Sequence, residues 1–402
     1  MNKSQSIGRE LLTLLSTNIR DYGMFIALIV IVIVFTLLTP NNAFISPGNI
    51  SNLINQTGYI AVLAVGMTLV IVIRHIDLSV GFLAGFTGAV VALLMTQMGL
   101  HMFVAIPIVL LIGLAVGLVN AFFVAKVGMP AFVISLAGML IFRGALLQVT
   151  GATGTIGLPA HTFYQFNAIG RGFIPELPFI PENFAFHVAT LILGVAAIIL
   201  MYIFEIRARQ TKIKYGFPIV SFPIFFAKLL LITAGIGYIT WVLSSHNGLS
   251  WTAVIVIIVV AIYQFITTKT VLGRHIYAVG SNPEAAKLSG INVTKITFFV
   301  FGSMSMLAAL SGVLFTARLQ SASPTAGELF ELDAIAAAYV GGVSAAGGVG
   351  KVTGSIIGAF VMAALPNGMN LMGIGSSYQF IVRGLVLIAA VAFDVISRKR
   401  NR

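Results

Sequence analysis

Residues 102–125 read MFVAIPIVLLIGLAVGLVNAFFVA, a run whose only strongly polar side chain is Asn120. A helix of about 20 mostly apolar residues is long enough to cross a lipid bilayer, and this run meets that length. Eleven further runs of the same kind bring the predicted spans to 23–39, 57–73, 80–98, 102–125, 130–150, 186–204, 222–242, 251–268, 296–316, 333–349, 352–372 and 378–396. The runs are long and lack two-residue alternation, so we predict an all-α polytopic membrane protein with ten to twelve spans, twelve being favoured.

The composition of the whole chain agrees with this prediction. Of the 402 residues, 58% are hydrophobic and 8% are charged, and the mean hydropathy is +1.04, whereas soluble domains carry about 25% charged residues. The absence of cysteine excludes disulfides, thiolate metal sites and cysteine nucleophiles. The six histidines show no metal-ligand spacing, so no metal site is predicted.

The distribution of basic residues orients the predicted spans. With the N-terminus placed in the cytoplasm, 19 of the 23 Lys and Arg residues fall on the cytoplasmic side. The other four are Arg143, Arg171, Arg318 and Arg383. Cytoplasmic loops are enriched in Lys and Arg, so both termini are expected in the cytoplasm. The net charge of +12 is dispersed over short loops, so it does not indicate nucleic-acid binding.

This orientation defines the expected domain organisation. The polar segment 1–22 precedes a first span without a cleavage site, so it is expected to be a retained cytoplasmic segment and not a signal peptide. A single transmembrane domain then covers 23–396 and includes a periplasmic loop at 151–185 and a cytoplasmic loop at 269–295. Four prolines predict irregular structure in the periplasmic loop, and a basic tail at 397–402 ends the chain in the cytoplasm.

Three pairs of short motifs suggest an inverted repeat. The pairs are Asp77–Gly85 with Asp333–Gly341, Gly113-x-x-x-Gly117 with Gly354-x-x-x-Gly358, and Ile141–Leu147 with Ile381–Leu387. They occur in the same order but in spans of opposite direction, so we predict that spans 2–5 are repeated as spans 9–12. Each pair alone is a weak signal, because Gly-x-x-x-Gly is frequent in membrane helices.

The cytoplasmic loop contains a complete short helix at Ser281–Gly290. Asn282 can cap it and Pro283 suits its first position, while Glu284 favours the positive end of the helix dipole. Gly290 supplies a stop. A helix of two turns has marginal stability in water, so either a partner holds it or the segment is a solvated connector.

This loop carries the clearest resemblance of the chain to a known family. Residues 273–293, GRHIYAVGSNPEAAKLSGINV, closely resemble the coupling loop of sugar-type ABC transporter permeases, which serve ribose, xylose, arabinose and galactose importers. Segments 76–81, 324–327, 331–337 and 341–350 resemble other signatures of the same family. Two additional spans precede the loop here, so the chain resembles the longer xylose and multiple-monosaccharide permeases.

The resemblance implies the function and the partners. The chain would be a permease subunit and not an enzyme; it would bind no cofactor, and ATP with magnesium would be used by a separate ATPase subunit. A periplasmic binding protein would deliver the monosaccharide, a second permease copy would complete the pore, and lipid of the bacterial inner membrane would surround it. The coupling residues carried over are Gly280, Asn282, Pro283, Glu284, Ala285, Ala286, Leu288 and Gly290. The identity of the sugar is not indicated.

Polar residues near the spans are candidates for a second site. Asp77, Ser79, Asn120 and Asn367 are expected either to line the translocation path or to have a structural role. For Asp77, which has Arg74 and His75 beside it, the structural alternative is an interfacial cap or a local ion pair. Arg143 and Arg383 are expected to stabilise the outer half of the protein without contacting sugar.

An ion-coupled secondary sugar transporter is the alternative function. Such a transporter would need carboxylates buried near the middle of the membrane. Among the eleven acidic residues only Asp333 and Asp394 fall in predicted spans, each near one end. The sequence therefore favours the ATP-driven permease.

Overall fold

The computed structural model of the chain describes residues 19–151, 154–178, 180–181 and 185–400. Most of the predicted N-terminal segment, residues 1–18, and the last two residues of the predicted tail, 401–402, lie outside the described residues.

The described residues form fifteen α-helices and very little strand. The helices are α1 (Ile19–Leu38), α2 (Pro47–Val72), α3 (Val80–Thr96), α4 (Met102–Phe122), α5 (Ala131–Val149), α6 (Tyr164–Arg171), α7 (Val188–Lys214), α8 (Phe222–Ser244), α9 (Trp251–Lys269), α10 (Val271–Ser281), α11 (Pro283–Leu288), α12 (Val293–Leu319), α13 (Phe330–Val340), α14 (Val352–Leu371) and α15 (Ser376–Arg400). A 3-10 helix at Pro40–Ile45 follows α1, and a π-helical turn at Phe123–Val127 extends α4. Strands β1 (Ile156–Gly157) and β2 (Ser321–Ala322) pair antiparallel. The prediction of an all-α polytopic protein is confirmed.

The number of spans differs from the favoured prediction. Nine helices within the described residues are long and apolar enough to cross a membrane, so twelve spans are not confirmed. Helix α3 has 17 residues, about 26 Å, and α13 has 11 residues, about 16 Å, whereas the hydrocarbon core is about 30 Å thick. The predicted span 333–349 is therefore wrong as a continuous helix. Helix α13 ends before Gly341, and Gly342 then takes a left-handed φ of 85°.

The described residues divide into two compact units, and the first comprises residues 19–22, 46–51, 173–178, 180–181 and 185–250. Helices α7 and α8 form an antiparallel hairpin in it, since the His187 N–H donates to the Ser244 carbonyl at 2.8 Å. Towards the other end of the hairpin, Lys228 Nζ lies 2.7 Å from Glu205 Oε1. Only 11% of the residues in the apolar stretch of each helix are buried, so the outer faces of both helices suit contact with lipid.

The second unit comprises the described residues 23–45, 52–151, 154–172 and 251–400 and has α2 and α12 at its centre. Ile60 to Val72 of α2 are almost completely buried. Glycines allow neighbouring helices to approach α12 closely. A Cβ on Gly117 of α4 would lie 2.3 Å from the Phe301 carbonyl oxygen, and one on Gly312 would lie 2.0 Å from the Ala84 carbonyl oxygen. These crossings leave no room for a larger residue.

Parts of the second unit show the pairing that an inverted repeat requires. Helix α3 packs against α4 and α5, and α13 packs against α14 and α15 in the same order. The two Gly-x-x-x-Gly motifs have different neighbours, however. Gly113 faces α12, whereas Gly358 faces the Ala337 carbonyl of α13. The repeat stays a prediction.

The connection predicted to be irregular contains regular structure. Helix α6 and strand β1 lie within residues 151–185, and β1 pairs with β2, with Ile156 opposite Ala322. The side-chain amide of Asn167 in α6 donates to the Leu158 carbonyl at 2.9 Å and holds the turn between strand and helix. The prolines of this segment therefore do not prevent regular structure between them.

Candidate functional site

Helix α11 has the cap and the stop that the sequence predicted. The side-chain oxygen of Asn282 accepts hydrogen bonds from the N–H groups of Glu284 at 3.1 Å and Ala285 at 3.0 Å. Pro283 is the first helical residue. Gly290 takes a φ of 83°, a left-handed conformation that glycine adopts without strain. The caps therefore specify a helix that is too short to be stable on its own.

The surface of α11 is anchored on one side and open on the other. Ala286 is 4% exposed and packs in the core of the second unit, whereas Leu288 is 89% exposed. A large apolar side chain with so little contact on a two-turn helix stabilises nothing within the chain. It is available to a partner.

The start of α11 is tied to the end of α2 through Arg74. The Arg74 Nε donates to the Gly280 carbonyl at 2.6 Å, and its Nη2 donates to the Ser281 carbonyl. These carbonyls belong to the last turn of α10, where helix carbonyls lack intrahelical partners and favour a cation. Arg74 therefore caps α10 and does not form the predicted ion pair with Asp77.

A glycine-rich loop completes this contact. The Gly348 N–H donates to the Val72 carbonyl at 2.8 Å, and the Tyr277 hydroxyl donates to the Gly350 carbonyl at 2.6 Å. A Cβ on Gly280 would lie 1.9 Å from the Val72 carbonyl oxygen. We call this set the junction; its members are Val72, Arg74, Tyr277, Gly280, Ser281 and Gly347–Gly350.

A polar cavity lies beside the middle of α2, away from the junction. Its volume is about 200 Å³. The lining residues come from α2, α13, α14 and α15: Gln56, Tyr59, Ile60, Asp333, Met362, Ala363, Pro366, Asn367, Asn370, Gln379 and Arg383. Seven of these eleven side chains can form hydrogen bonds, which is unusual for a cavity among membrane helices.

An ion pair forms one wall of the polar cavity. The Arg383 Nη1 lies 3.2 Å and 3.3 Å from the two carboxylate oxygens of Asp333. On a neighbouring part of the wall, the Gln379 amide donates to the Asn370 side-chain oxygen at 2.6 Å and to the Ile374 carbonyl at 3.0 Å. The two charges compensate each other, so the cavity is formally neutral.

The structure separates the polar residues that the sequence grouped. Asn367 and Arg383 line the cavity, but Arg143 is exposed and lies 5.6 Å from the centre of the Phe82 ring. The two arginines therefore have different surroundings.

The side-chain nitrogen of Asn120 is buried without a hydrogen-bond partner near the end of α4. Ser79 donates its hydroxyl to Asp77 Oδ1 at 2.6 Å, so these two form a local turn before α3.

Several cavity residues were not predicted as site residues. Gln56 precedes the second predicted span and Tyr59 follows closely, while Gln379 lies inside the last one. Gln379 could have been recognised as a candidate, because it is an amide inside an apolar run. For Gln56 and Tyr59 no local pattern distinguished them from residues at a helix end.

Buried carboxylates are more frequent than the sequence indicated. Asp77 is completely buried and Glu331 is 5% exposed, although both lie outside the predicted spans. A Cβ on Gly81 would lie 2.0 Å from Glu331 Oε2, so the carboxylate sits at the first turn of α3, where the helix dipole favours negative charge. Carboxylates are therefore also buried outside the predicted spans, at positions that the count of acidic residues within the spans did not include.

The fold and these two sites define a multi-pass membrane protein with a polar cavity in its helical core. The family model described as the permease component of the branched-chain amino acid transport system matches residues 49–215 and 187–391. The chain belongs to this family, and it is therefore a transport permease and not an enzyme.

Relatives of known function support the same class. The xylose transport system permease protein of Escherichia coli strain K12 is 35% identical over 96% of this chain and 94% of its own length. The xylose transport system permease protein of Haemophilus influenzae is 36% identical over 96% of this chain and 98% of its own. The ribose import permease protein of Haemophilus influenzae is 36% identical over 92% and 91%. No solved structure matches the chain. The resemblance to sugar permeases that the sequence showed is confirmed.

Proposed function

We propose that the chain is the membrane-spanning permease subunit of an ATP-driven importer for a monosaccharide. The relatives named for xylose and ribose transport support the substrate class. The observation that carries the ATP-driven mechanism is helix α11, which is fixed at its base by the junction and presents Leu288 to the solvent.

The partners follow from this assignment. A separate ATPase subunit would bind ATP with magnesium and receive α11 in a groove, with Leu288 as the apolar anchor. A second copy of this chain would complete the pore, and a periplasmic binding protein would deliver the sugar. The permease would lie in the bacterial inner membrane with both termini in the cytoplasm, in contact with membrane lipid, and this chain would hold no cofactor.

Leu288→Asp tests the coupling role. Leu288 contributes almost nothing to the fold, so the variant should accumulate normally in the membrane. A charge in an apolar groove should prevent the ATPase subunit from co-purifying and should abolish ATP-dependent uptake of xylose or ribose into proteoliposomes. Tyr215→Asp is the matched control, because Tyr215 is also an exposed apolar residue, at 66%, on the predicted cytoplasmic side. Normal ATPase association in Leu288→Asp would contradict the proposal.

The energy source and the orientation are tested separately. Uptake should require ATP hydrolysis by the partner subunit and should persist when ion gradients are collapsed. Uptake driven by an ion gradient without ATP would instead establish the secondary transporter. Because the chain has no cysteine, Lys287→Cys provides a single thiol beside the coupling residues. The proposed orientation requires that a membrane-impermeant reagent labels this thiol only from the cytoplasmic side.

A further inference from the structure

We propose that the polar cavity between α2, α13, α14 and α15 is a low-affinity binding site for one neutral monosaccharide on its way through the permease. This inference rests on the proposed function, since it concerns the substrate of the same transporter. It assigns a place for the sugar within this chain, in addition to the site on a separate binding protein.

The lining of the cavity matches the surface of a sugar. A monosaccharide presents hydroxyl groups that both donate and accept hydrogen bonds, and it has no charge. The amides of Gln56, Asn370 and Gln379 can act as donor and as acceptor. Tyr59 adds a hydroxyl and an aromatic ring. Such groups can replace the water around each sugar hydroxyl as it leaves the aqueous phase.

The ion pair disfavours a charged substrate. The Asp333 carboxylate and the Arg383 guanidinium compensate each other at 3.2 Å. An amino acid would have to separate them to pair with its own carboxylate and ammonium groups, and it would then compete with an existing contact. A hydroxyl group can bond to the remaining N–H groups of Arg383 without breaking the pair. One of them, on Nε, is buried without a partner in the structure.

The apolar part of the lining is too small for a branched side chain. Apart from the Tyr59 ring, apolar contact comes only from Ile60, Met362, Ala363 and Pro366. Pro366 also has no N–H, so the Met362 carbonyl lacks its usual helical partner and remains an additional acceptor. A branched-chain amino acid would need an apolar wall for its side chain, and in this cavity hydrogen-bonding groups occupy that position.

The size and the position of the cavity agree with a transient site. Its volume of about 200 Å³ is below the roughly 300–1,000 Å³ of pockets for drug-sized ligands, so one sugar ring is the appropriate occupant. Asn370 and Gln379 lie near the helix ends that the predicted topology places outside, and Gln56 lies directly before the second predicted span, whose start is placed outside as well. A sugar released from outside would therefore meet this cavity at an early stage.

Protection of a single thiol tests the site in the assembled transporter. Gln56→Cys places a thiol in the cavity wall on a cysteine-free background, and Gln97→Cys places one on an exposed residue outside the cavity. Both variants are labelled with a small thiol reagent in proteoliposomes that contain the ATPase subunit and the periplasmic binding protein. The probes are xylose, ribose and, as a charged competitor, leucine.

We expect a pentose to protect position 56 and to leave position 97 unchanged. When the sugar is at ten times its dissociation constant, one-site occupancy predicts an approximately elevenfold slower reaction. Leucine should give no protection. Protection by leucine, or equal labelling with and without sugar while uptake of that sugar remains normal, would overturn the inference.

A second cysteine variant allows the test to be made even if Gln56→Cys fails to fold. If Gln56→Cys does not accumulate, Asn370→Cys gives a thiol on α14 in the same cavity. Gln379→Leu should in addition raise the half-saturating sugar concentration for uptake, while ATPase association through α11 stays unchanged. If the wild-type protein takes up no sugar at all, the proposed function fails. If it takes up sugar and none of these variants responds, only the cavity assignment fails.

Discussion

Substitution of Arg74 should uncouple ATP hydrolysis from sugar uptake. Arg74 joins the end of α2 to the last two carbonyls of α10. The second of these carbonyls belongs to Ser281, which directly precedes Asn282, the cap of α11. It takes a φ of 66°, which is strained for most residues but is tolerated by asparagine. Arg74→Asn therefore removes the guanidinium while the backbone conformation is retained.

The magnitude follows from the two hydrogen bonds that are lost. A hydrogen bond from a charged donor contributes about 1.5–3 kcal/mol when it is shielded from water. We assign about 1.5 kcal/mol to the half-buried bond to Gly280 and about 0.5 kcal/mol to the exposed bond to Ser281. Their sum of about 2 kcal/mol is roughly a 30-fold change in the equilibrium between a connected and a disconnected junction.

This change predicts the size of the effect on transport. If the remaining contacts of the junction leave the connected and the disconnected state equal in free energy, the junction is connected in about 97% of wild-type molecules and in about half of Arg74→Asn molecules. The amount of sugar taken up per ATP hydrolysed should then fall to about half. ATP hydrolysis itself should continue, because α11 keeps its cap and its exposed Leu288.

The assay compares sugar uptake with ATP hydrolysis in proteoliposomes of the complete transporter. Arg207→Asn is the matched control, since Arg207 is an exposed basic residue of α7 on the predicted cytoplasmic side. An unchanged ratio of sugar to ATP in Arg74→Asn, at normal protein levels, would refute the reasoning. An equal decrease in the Arg207 control would show that the loss of positive charge, and not the junction, is responsible.

Two further predictions concern a helix end and a pH-dependent cap. Gly290→Val should destabilise the end of α11 by about 1–2 kcal/mol and lower uptake, because its φ is 83°, whereas Gly290→Asn should retain most of the uptake. Burial raises the pKa of Glu176, but hydrogen bonds from the N–H groups of Leu177 and of the first two residues of α7, together with His187, lower it below the ordinary 4.5. The charged form is thus favoured in the folded state, and the stabilisation of α7 should be present above pH 4.5 and lost as the pH falls through the lowered value. Hydrogen exchange at the start of α7, corrected for its intrinsic pH dependence, should show this loss in the wild type and not in Glu176→Gln.

Helix α11 was predictable because its signals are local. The cap at Asn282, the proline at 283 and the stop at Gly290 lie within nine residues, and each acts on the backbone next to it. The same holds for the long apolar helices, whose length and composition are properties of one segment. The prediction of span 333–349 failed because Gly341–Gly342 ends α13 early, a local break that an average over apolar residues does not detect.

The cavity and the junction could not be predicted in this way, because their members come together only in the folded chain. Asp77 is three residues from Arg74 and looked like its partner, yet Arg74 bonds to Gly280, which is 206 residues away. Likewise Arg383 binds Asp333 at a separation of 50 residues, whereas Arg143 lies over the aromatic ring of Phe82. Similar local sequence therefore did not imply similar contacts.

Helix α2 relates the two sites to each other. Its end at Val72 belongs to the junction, and Gln56, about 24 Å away along the helix axis, lines the polar cavity. Between them the helix is buried on all sides and contains no proline, so it is expected to move as a rigid rod. The loop at Gly347–Gly350 leads in turn into α14, which carries Asn367 and Asn370 at its far end. A displacement of α11 by the ATPase subunit would thus reach two walls of the cavity through two helices fixed at one junction. Arg74 connects α10 to the end of α2, whereas the path to α14 runs through the glycine-rich loop. Loss of Arg74 should therefore weaken the response of the cavity to ATP without abolishing sugar binding.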